Sequence, residues 1–290
     1  MKLTNRYRDL TFDVIITVGA YFGIAVLILI LILLLGNSFP ALSEFGLGEF
    51  ITESKWNPTN ESMPKVGAVA MLACSLMISI GAVAIAFPIG LFYLAFVFLY
   101  SPKWMAFLLR RIMELVGGIP SIVFGLWGLI TLVPMVNQYY PPGASMLSAT
   151  LVLALMTLPT IIISVDAALS SCRFDLMLAS NALGISKESY FWFIAIPQAK
   201  YGMIVGIVLS LTRVIGETMA VVMVSGNVIQ IPGSVFDPIR TVTANLALEM
   251  GYAADIHRSA LFTIALVLML MIGTLVLTLR WFQPRSFKGE

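Results

Sequence analysis

From Val66 to Pro102 the chain reads VGAVAMLACSLMISIGAVAIAFPIGLFYLAFVFLYSP, and no charge appears before Lys103. The hydrocarbon core of a bilayer is about 30 Å thick and is crossed by about 20 apolar residues in helical form, so this run reads as a membrane span with residues to spare. Pro88 is expected to kink it where it leaves the hydrocarbon, because proline removes a helical hydrogen bond. Upstream, Val14 to Leu35 is a second span. It is too long for a removable signal peptide and no small-residue cleavage site follows it, so it reads as a retained anchor. Downstream, no charge lies between Glu114 and Asp166, but Asn137-Gln138-Tyr139-Tyr140-Pro141-Pro142-Gly143 interrupts that stretch with turn residues. Spans three and four therefore form a hairpin. A fifth covers about Tyr201 to Val224 and a sixth about Ala260 to Leu279. Six spans, with 59% hydrophobic and only 11% charged residues, describe an all-α membrane protein; a soluble domain carries about a quarter charged residues.

Orientation follows from the basic residues, which are retained in short cytoplasmic loops. With the N-terminus inside, Lys2, Arg6, Arg8, Lys103, Arg110, Arg111, Arg173, Lys187, Lys200, Arg280, Arg285 and Lys288 fall on inner segments. Only Lys55, Lys65, Arg240 and Arg258 fall outside, so both termini are expected in the cytoplasm. Residues 1–65 then hold a short cytoplasmic segment, the first span and an external loop from Gly36 to Lys65. Residues 66–283 form the transmembrane core, with a long cytoplasmic loop at about 169–200, and 284–290 are a cytoplasmic tail.

The composition excludes several functions. A net charge of +2 gives no polyelectrolyte affinity for nucleic acid. One histidine and two cysteines, Cys74 and Cys172, leave no basis for a metal site or a disulfide scaffold. No lysine follows a glycine, so no phosphate-cradling loop is present, and no nucleophile and base stand out as catalytic residues. Any nucleotide energy must be released by another subunit. No cofactor is expected in this chain.

The most informative polar residues lie in Leu211-Thr212-Arg213-Val214-Ile215-Gly216-Glu217-Thr218-Met219-Ala220. In a continuous helix, a spacing of four puts Arg213 and Glu217 on one face, close enough to pair. A charge at bilayer depth costs about 2.5–3.5 kcal/mol unless it meets protein or water. On the same face Gly202, Gly206 and Ser210 recur at spacings of three and four and make a small, polar stripe. Two readings stay open: a structural ion pair locking two helices, or a transport pathway that includes Ser210, Arg213, Glu217 and Thr218. In span three, Gly117, Ser121 and Gly125 are four apart, and Pro120 lies between them. They form a ridge for close helix packing or a hinge. In the long inner loop a short helix around Leu178-Ala179-Ser180 is followed by a break at Gly184. A second short helix, N-capped by Ser186 and ended before Pro197, carries Tyr190, Phe191, Trp192 and Phe193 on a cytoplasmic surface. His257 reads as an interface residue and Asp166 as a snorkelling or capping acid.

The frame Ala179-Ser180, Gly184, Ile194-x-Ile196-Pro197 resembles the EAA loop of type I ABC importer permeases, with Leu178 where that family's glutamate usually stands. Gly216-Glu217-Thr218-Met219-Ala220-Val221 with Gly226-Asn227, the stretch from Glu114 to Gly128, and Phe39-Pro40-Ala41-Leu42 with Trp56-Asn57-Pro58 are similar to the C-type permease subunits of phosphate (Pst) importers. This likeness spans residues 39 to 227. It implies a type I importer fold in the cytoplasmic membrane that moves inorganic phosphate by alternating access. The implied partners are an A-type permease subunit, a dimer of ATPase subunits that uses ATP-Mg, and an external phosphate-binding protein, all within membrane lipid. Arg213 and Glu217 match the charged pair associated with phosphate passage, and Ala179, Ser180, Gly184, Ile194 and Pro197 match the ATPase-coupling loop. A permease for another oxyanion, such as molybdate or sulfate, and a secondary transporter working alone are the competing readings.

Overall fold

The computed structural model describes residues 2–60, 63–170, 178–180 and 182–282, with side chains described within residues 16–278 of these. Nine helices are labelled here: α1 (Lys2–Thr52), α2 (Val69–Leu99), α3 (Lys103–Gly117), α4 (Ser121–Asn137), α5 (Met146–Ser170), α6 (Lys187–Ile215), α7 (Met219–Val224), α8 (Val242–Glu249) and α9 (Asp255–Phe282). Between α1 and α2, β1 (Trp56–Asn57) pairs antiparallel with β2 (Lys65–Val66) in a small hairpin. Five helices, α1, α2, α5, α6 and α9, are each long and apolar enough to cross a membrane, and the bent pair α3–α4 makes the sixth span. The expected number of spans stands, but several boundaries move.

The first span does not end near Leu35. α1 continues to Thr52 with Pro40 inside it, where an external loop was expected. The reason lies in α9: the amide of Ala41 donates to Ser259 Oγ at 2.9 Å, and that hydroxyl donates to the Asn37 carbonyl at 2.7 Å. Ser259 thus bridges the rung from residue 41 to residue 37 and lets the helix pass its proline. Only at Gly46, with φ +73°, does the backbone leave helical geometry. α2 runs through Pro88 without interruption.

Span three is not straight. α3 and α4 meet at 90° across Gly118–Pro120. Pro120, with ψ 140°, starts a new helix rather than continuing the old one, since a proline ring clashes with the preceding turn. Asp166 is no lone capping acid. Arg110 of α3 forks onto it, Nη2 donating to Oδ1 at 2.9 Å and Nε standing 2.9 Å from Oδ2, which pins α3 to α5.

The segment between α5 and α6 also departs from its expected course. Gly184 adopts φ +70°, and Ser186 accepts the Ser189 amide as an N-cap, but the helix that follows does not stop before Pro197. It widens into a π turn over Phe191–Ala195 and runs straight on into the span. The wider turn accommodates a residue that has no N–H to donate. Tyr190 and Phe191 are buried against Phe98, and Trp192 packs edge-on against Phe92 at 6.2 Å, so only Phe193 of the four aromatics is exposed.

Two cores result. α2, α4, α5, α6 and α7 close around Ile78, Leu153, Ile161 and Phe191. The lower part of α1, the hairpin, α8 and α9 close around Phe50, Met71, Ile215 and Leu261. Residues 16–33 of α1 are almost wholly exposed on this chain. His257 is 5% exposed and lies 3.0 Å from Glu249 Oε2.

Candidate functional site

α5 and α6 run side by side through small residues. A Cβ placed on Gly202 would stand 2.5 Å from the Ala168 Cβ, and one on Gly206 would stand 2.7 Å from the Ser164 Cβ. Ser210 is fully buried, and among the described residues its hydroxyl has no hydrogen-bond partner. The stripe read from the sequence is therefore a sealed helix–helix seam in this conformation. Without bulky side chains the two backbones approach closely, which is how membrane helices associate.

Arg213 emerges beyond this seam. Its Nη1 donates to Thr160 Oγ1 of α5 at 2.7 Å, and the side chain is exposed on the isolated chain. One turn later the helix ends. Gly216 closes α6, Glu217 lies outside it, and Thr218 opens α7. The Glu217 amide still donates to the Val214 carbonyl at 3.0 Å, while its carboxylate accepts the Ala220 amide at 3.4 Å and so caps α7. The Glu217 carbonyl accepts from Thr243 Oγ1 of α8 at 2.8 Å, and Thr218 Oγ1 donates to the Gly216 carbonyl at 3.3 Å.

This overturns the expected Arg213–Glu217 pairing. Among the described residues no ion pair within 4.0 Å joins them, because the helix breaks between them and a spacing of four no longer means one face. The partner of Arg213 is Thr160, which the sequence reading missed. A signal for it existed: Thr160, Ser164 and Ala168 repeat every four residues, matching the stripe they pack on. With one of its five N–H donors engaged by a neutral hydroxyl, the guanidinium keeps several free for an oxyanion, which arginine binds in bidentate fashion.

The broken segment is wedged. A Cβ on Gly125 of α4 would come 2.8 Å from the Ala220 Cα, and one on Gly128 would come 2.5 Å from Val152 Cγ2. Gly125 thus packs closely, whereas Gly117 makes ordinary contact with Pro159 at 3.4 Å. Gly117, Ser121 and Gly125 do not form one ridge, because the 90° bend at Gly118–Pro120 separates the first from the other two. An apolar cavity of about 360 Å³ lies at that bend between Met113, Ile119, Trp127 and Leu158. Around the start of α6, Ala179, Gly184 and Pro197 are exposed, Ile194 is half-buried and Ser180 is buried.

Residues 86–288 match the family model described as binding-protein-dependent transport system inner membrane component. The chain is 36% identical over 242 residues to the probable ABC transporter permease protein YqgH of Bacillus subtilis, covering 82% of this chain and 78% of that one. It is 30% identical to the phosphate transport system permease protein PstC of Mesorhizobium japonicum, covering 90% and 87% respectively. A solved structure of inward-facing conformations of the MetNI methionine ABC transporter shares the fold at TM-score 0.59 and 16% identity, covering 73% of this chain and 92% of that one.

Proposed function

Because the chain belongs to the binding-protein-dependent transport system inner membrane components, the permeases of ABC transporters, we propose that it is the phosphate-conducting permease subunit of an ATP-driven importer. Its place is the cytoplasmic membrane, with both termini inside and the β1–β2 hairpin outside. An A-type permease subunit covers the face on which Arg213 is exposed, since an uncovered guanidinium at that depth would be costly. Separate ATPase subunits hydrolyse ATP-Mg and grip the loop around Ala179, Ser180, Gly184, Ile194 and Pro197. An external binding protein delivers phosphate.

The observation that carries the substrate is Arg213: a guanidinium with free donors, beside a helix break, in a chain whose relatives include phosphate transport permeases. In this structure a neutral hydroxyl holds Arg213, so an arriving anion has no carboxylate to displace. Glu217, engaged with the α7 amide end, then bounds the site with a negative charge and keeps affinity for an anion modest. A pathway must release what it binds. Gly118–Pro120 and Gly216–Thr218 are the two breaks at which α4 and α6 can hinge.

The test is uptake of labelled phosphate by the assembled complex carrying Arg213→Ala. Uptake is abolished while the complex still assembles; unimpaired uptake rejects the role. Competition by molybdate and sulfate separates phosphate from other oxyanions. Transport by this chain alone in liposomes without ATP would point to a secondary transporter instead.

A further inference from the structure

A buried polar cluster sits at the hairpin end of the molecule. Glu249, in the last turn of α8, is 7% exposed, and three donors meet its carboxylate. Arg240 Nη1 donates to Oε1 at 2.9 Å, Trp56 Nε1 donates to Oε2 at 2.8 Å, and His257 Nε2 lies 3.0 Å from Oε2. These residues come from the loop before α8, from β1 and from the first turn of α9. A buried carboxylate is tolerated only with such a set of partners, so the three elements are held to one point.

The cluster also reaches the break in α6 by two routes. Arg240 Nε donates to the Asn227 carbonyl at 2.7 Å, and Asn227 Nδ2 donates to the Val222 carbonyl of α7 at 2.7 Å. The second route is α8 itself. Thr243 in its first turn donates to the Glu217 carbonyl, and Glu249 in its last turn holds the cluster, so a rod of about 9 Å joins the two. Its start is fixed independently, where Ser75 Oγ of α2 accepts the Val242 amide at 3.2 Å. The cluster is also not closed: Asn245, fully buried, accepts from Arg240 at 3.0 Å through Oδ1, but its Nδ2 has no partner among the described residues. Beside Trp56 a cavity of about 490 Å³ lies between the hairpin and residues 229–231, which leaves the hairpin space to shift.

We propose that Trp56, Arg240 and Glu249 are positioning residues through which the β1–β2 hairpin sets the geometry of the Glu217 break. The inference rests on the importer reading, in which the hairpin faces the binding protein. Displacing the hairpin withdraws the Trp56 donor from Glu249. Glu249 then pulls harder on Arg240, Arg240 is drawn from the Asn227 carbonyl, and α7 and the Glu217 carbonyl shift with it. Arrival of a partner outside is thereby felt at the break beside Arg213.

The experiment uses the complete importer with its binding protein in proteoliposomes and compares Trp56→Phe, Thr243→Val and the double variant. Trp56→Phe keeps an aromatic ring, smaller than the indole, and deletes the donor. It lowers maximal phosphate uptake about tenfold, the value of one hydrogen bond to a charged group, while ATP hydrolysis without binding protein is unchanged. Thr243→Val lowers uptake about fivefold. Because Trp56 acts on Glu249, upstream of both routes, and Thr243 lies on one of them, the double variant is no slower than Trp56→Phe, a non-additivity that two unrelated structural defects do not produce. If Thr243→Val impairs assembly, Arg240→Lys takes its place in the same comparison. A wild-type complex that moves no phosphate refutes the importer reading and this proposal with it. Phosphate uptake in the wild type, combined with a Trp56→Phe rate within twofold of it or with losses that multiply, refutes this proposal alone.

Discussion

Replacing Gly206 by alanine places a methyl carbon 2.7 Å from the Ser164 Cβ, an atom tied to the α5 backbone. Carbon atoms rest about 3.5–4.0 Å apart, so the helices must separate by about 1 Å at that level. Overpacking of this kind costs about 1–3 kcal/mol, and the gain in helix propensity from glycine to alanine, about 1 kcal/mol, offsets part of it. The net loss of stability is therefore up to about 2 kcal/mol. The same movement acts on Arg213, two turns further along α6. Its 2.7 Å hydrogen bond to Thr160 stretches beyond bonding range when α5 and α6 part by about 1 Å. Gly206→Ala is thus expected to weaken both the fold and phosphate uptake, although it touches neither charge. Gly23→Ala is the control, because a Cβ there meets nothing within 4 Å. Equilibrium unfolding of the purified chain in detergent reads the first effect, and uptake by the assembled complex reads the second. Wild-type stability and uptake in Gly206→Ala, matching those of Gly23→Ala, would show that the seam does not set the position of Arg213.

Two further outcomes are expected. Asp166→Asn removes the charge that pins α3 to α5 through Arg110; with both groups partly exposed the loss is about 0.5–1 kcal/mol, seen as faster amide exchange in α3 with little change elsewhere. At the hairpin, the amides of Lys55 and Ser54 and the Lys65 ammonium hold the Glu53 carboxyl below its ordinary value of 4.5. A lowered value in the folded state stabilises the hairpin above the ordinary value, and this contribution is lost as pH falls through the depressed one. Fluorescence of Trp56 should therefore change in acid on that face, with Glu53→Gln abolishing the dependence; a change that persists in Glu53→Gln refutes the assignment.

Much of the architecture was legible from the order of residues. Apolar runs of bilayer length identify spans because no water is available inside a membrane to satisfy an unfolded backbone, so length and absence of charge suffice. The break at Gly184 and the cap at Ser186 were also readable, since each follows from the local backbone preference of one residue. The close approach of α6 to a neighbour was written in Gly202, Gly206 and Ser210. What was misread shares one cause. The extension of α1 past Pro40 depends on a hydroxyl at Ser259, more than two hundred residues away. The continuation of α6 through Pro197 depends on a π turn whose aromatic residues find a home on α2. Neither could be inferred from the segment itself.

The candidate site shows the same division. That an arginine and a glutamate lie deep in a permease-like chain is a property of the sequence, and so is the conclusion that they must meet protein, water or an anion rather than lipid. Which groups they meet is a property of the tertiary structure. Helical spacing predicts neighbours only while the helix continues, and α6 stops at Ile215. Beyond that point the partners of Arg213 and Glu217 are chosen by α5, α7 and α8, elements brought together by packing across the chain. Thr160 takes the guanidinium, and Thr243 holds the backbone of Glu217.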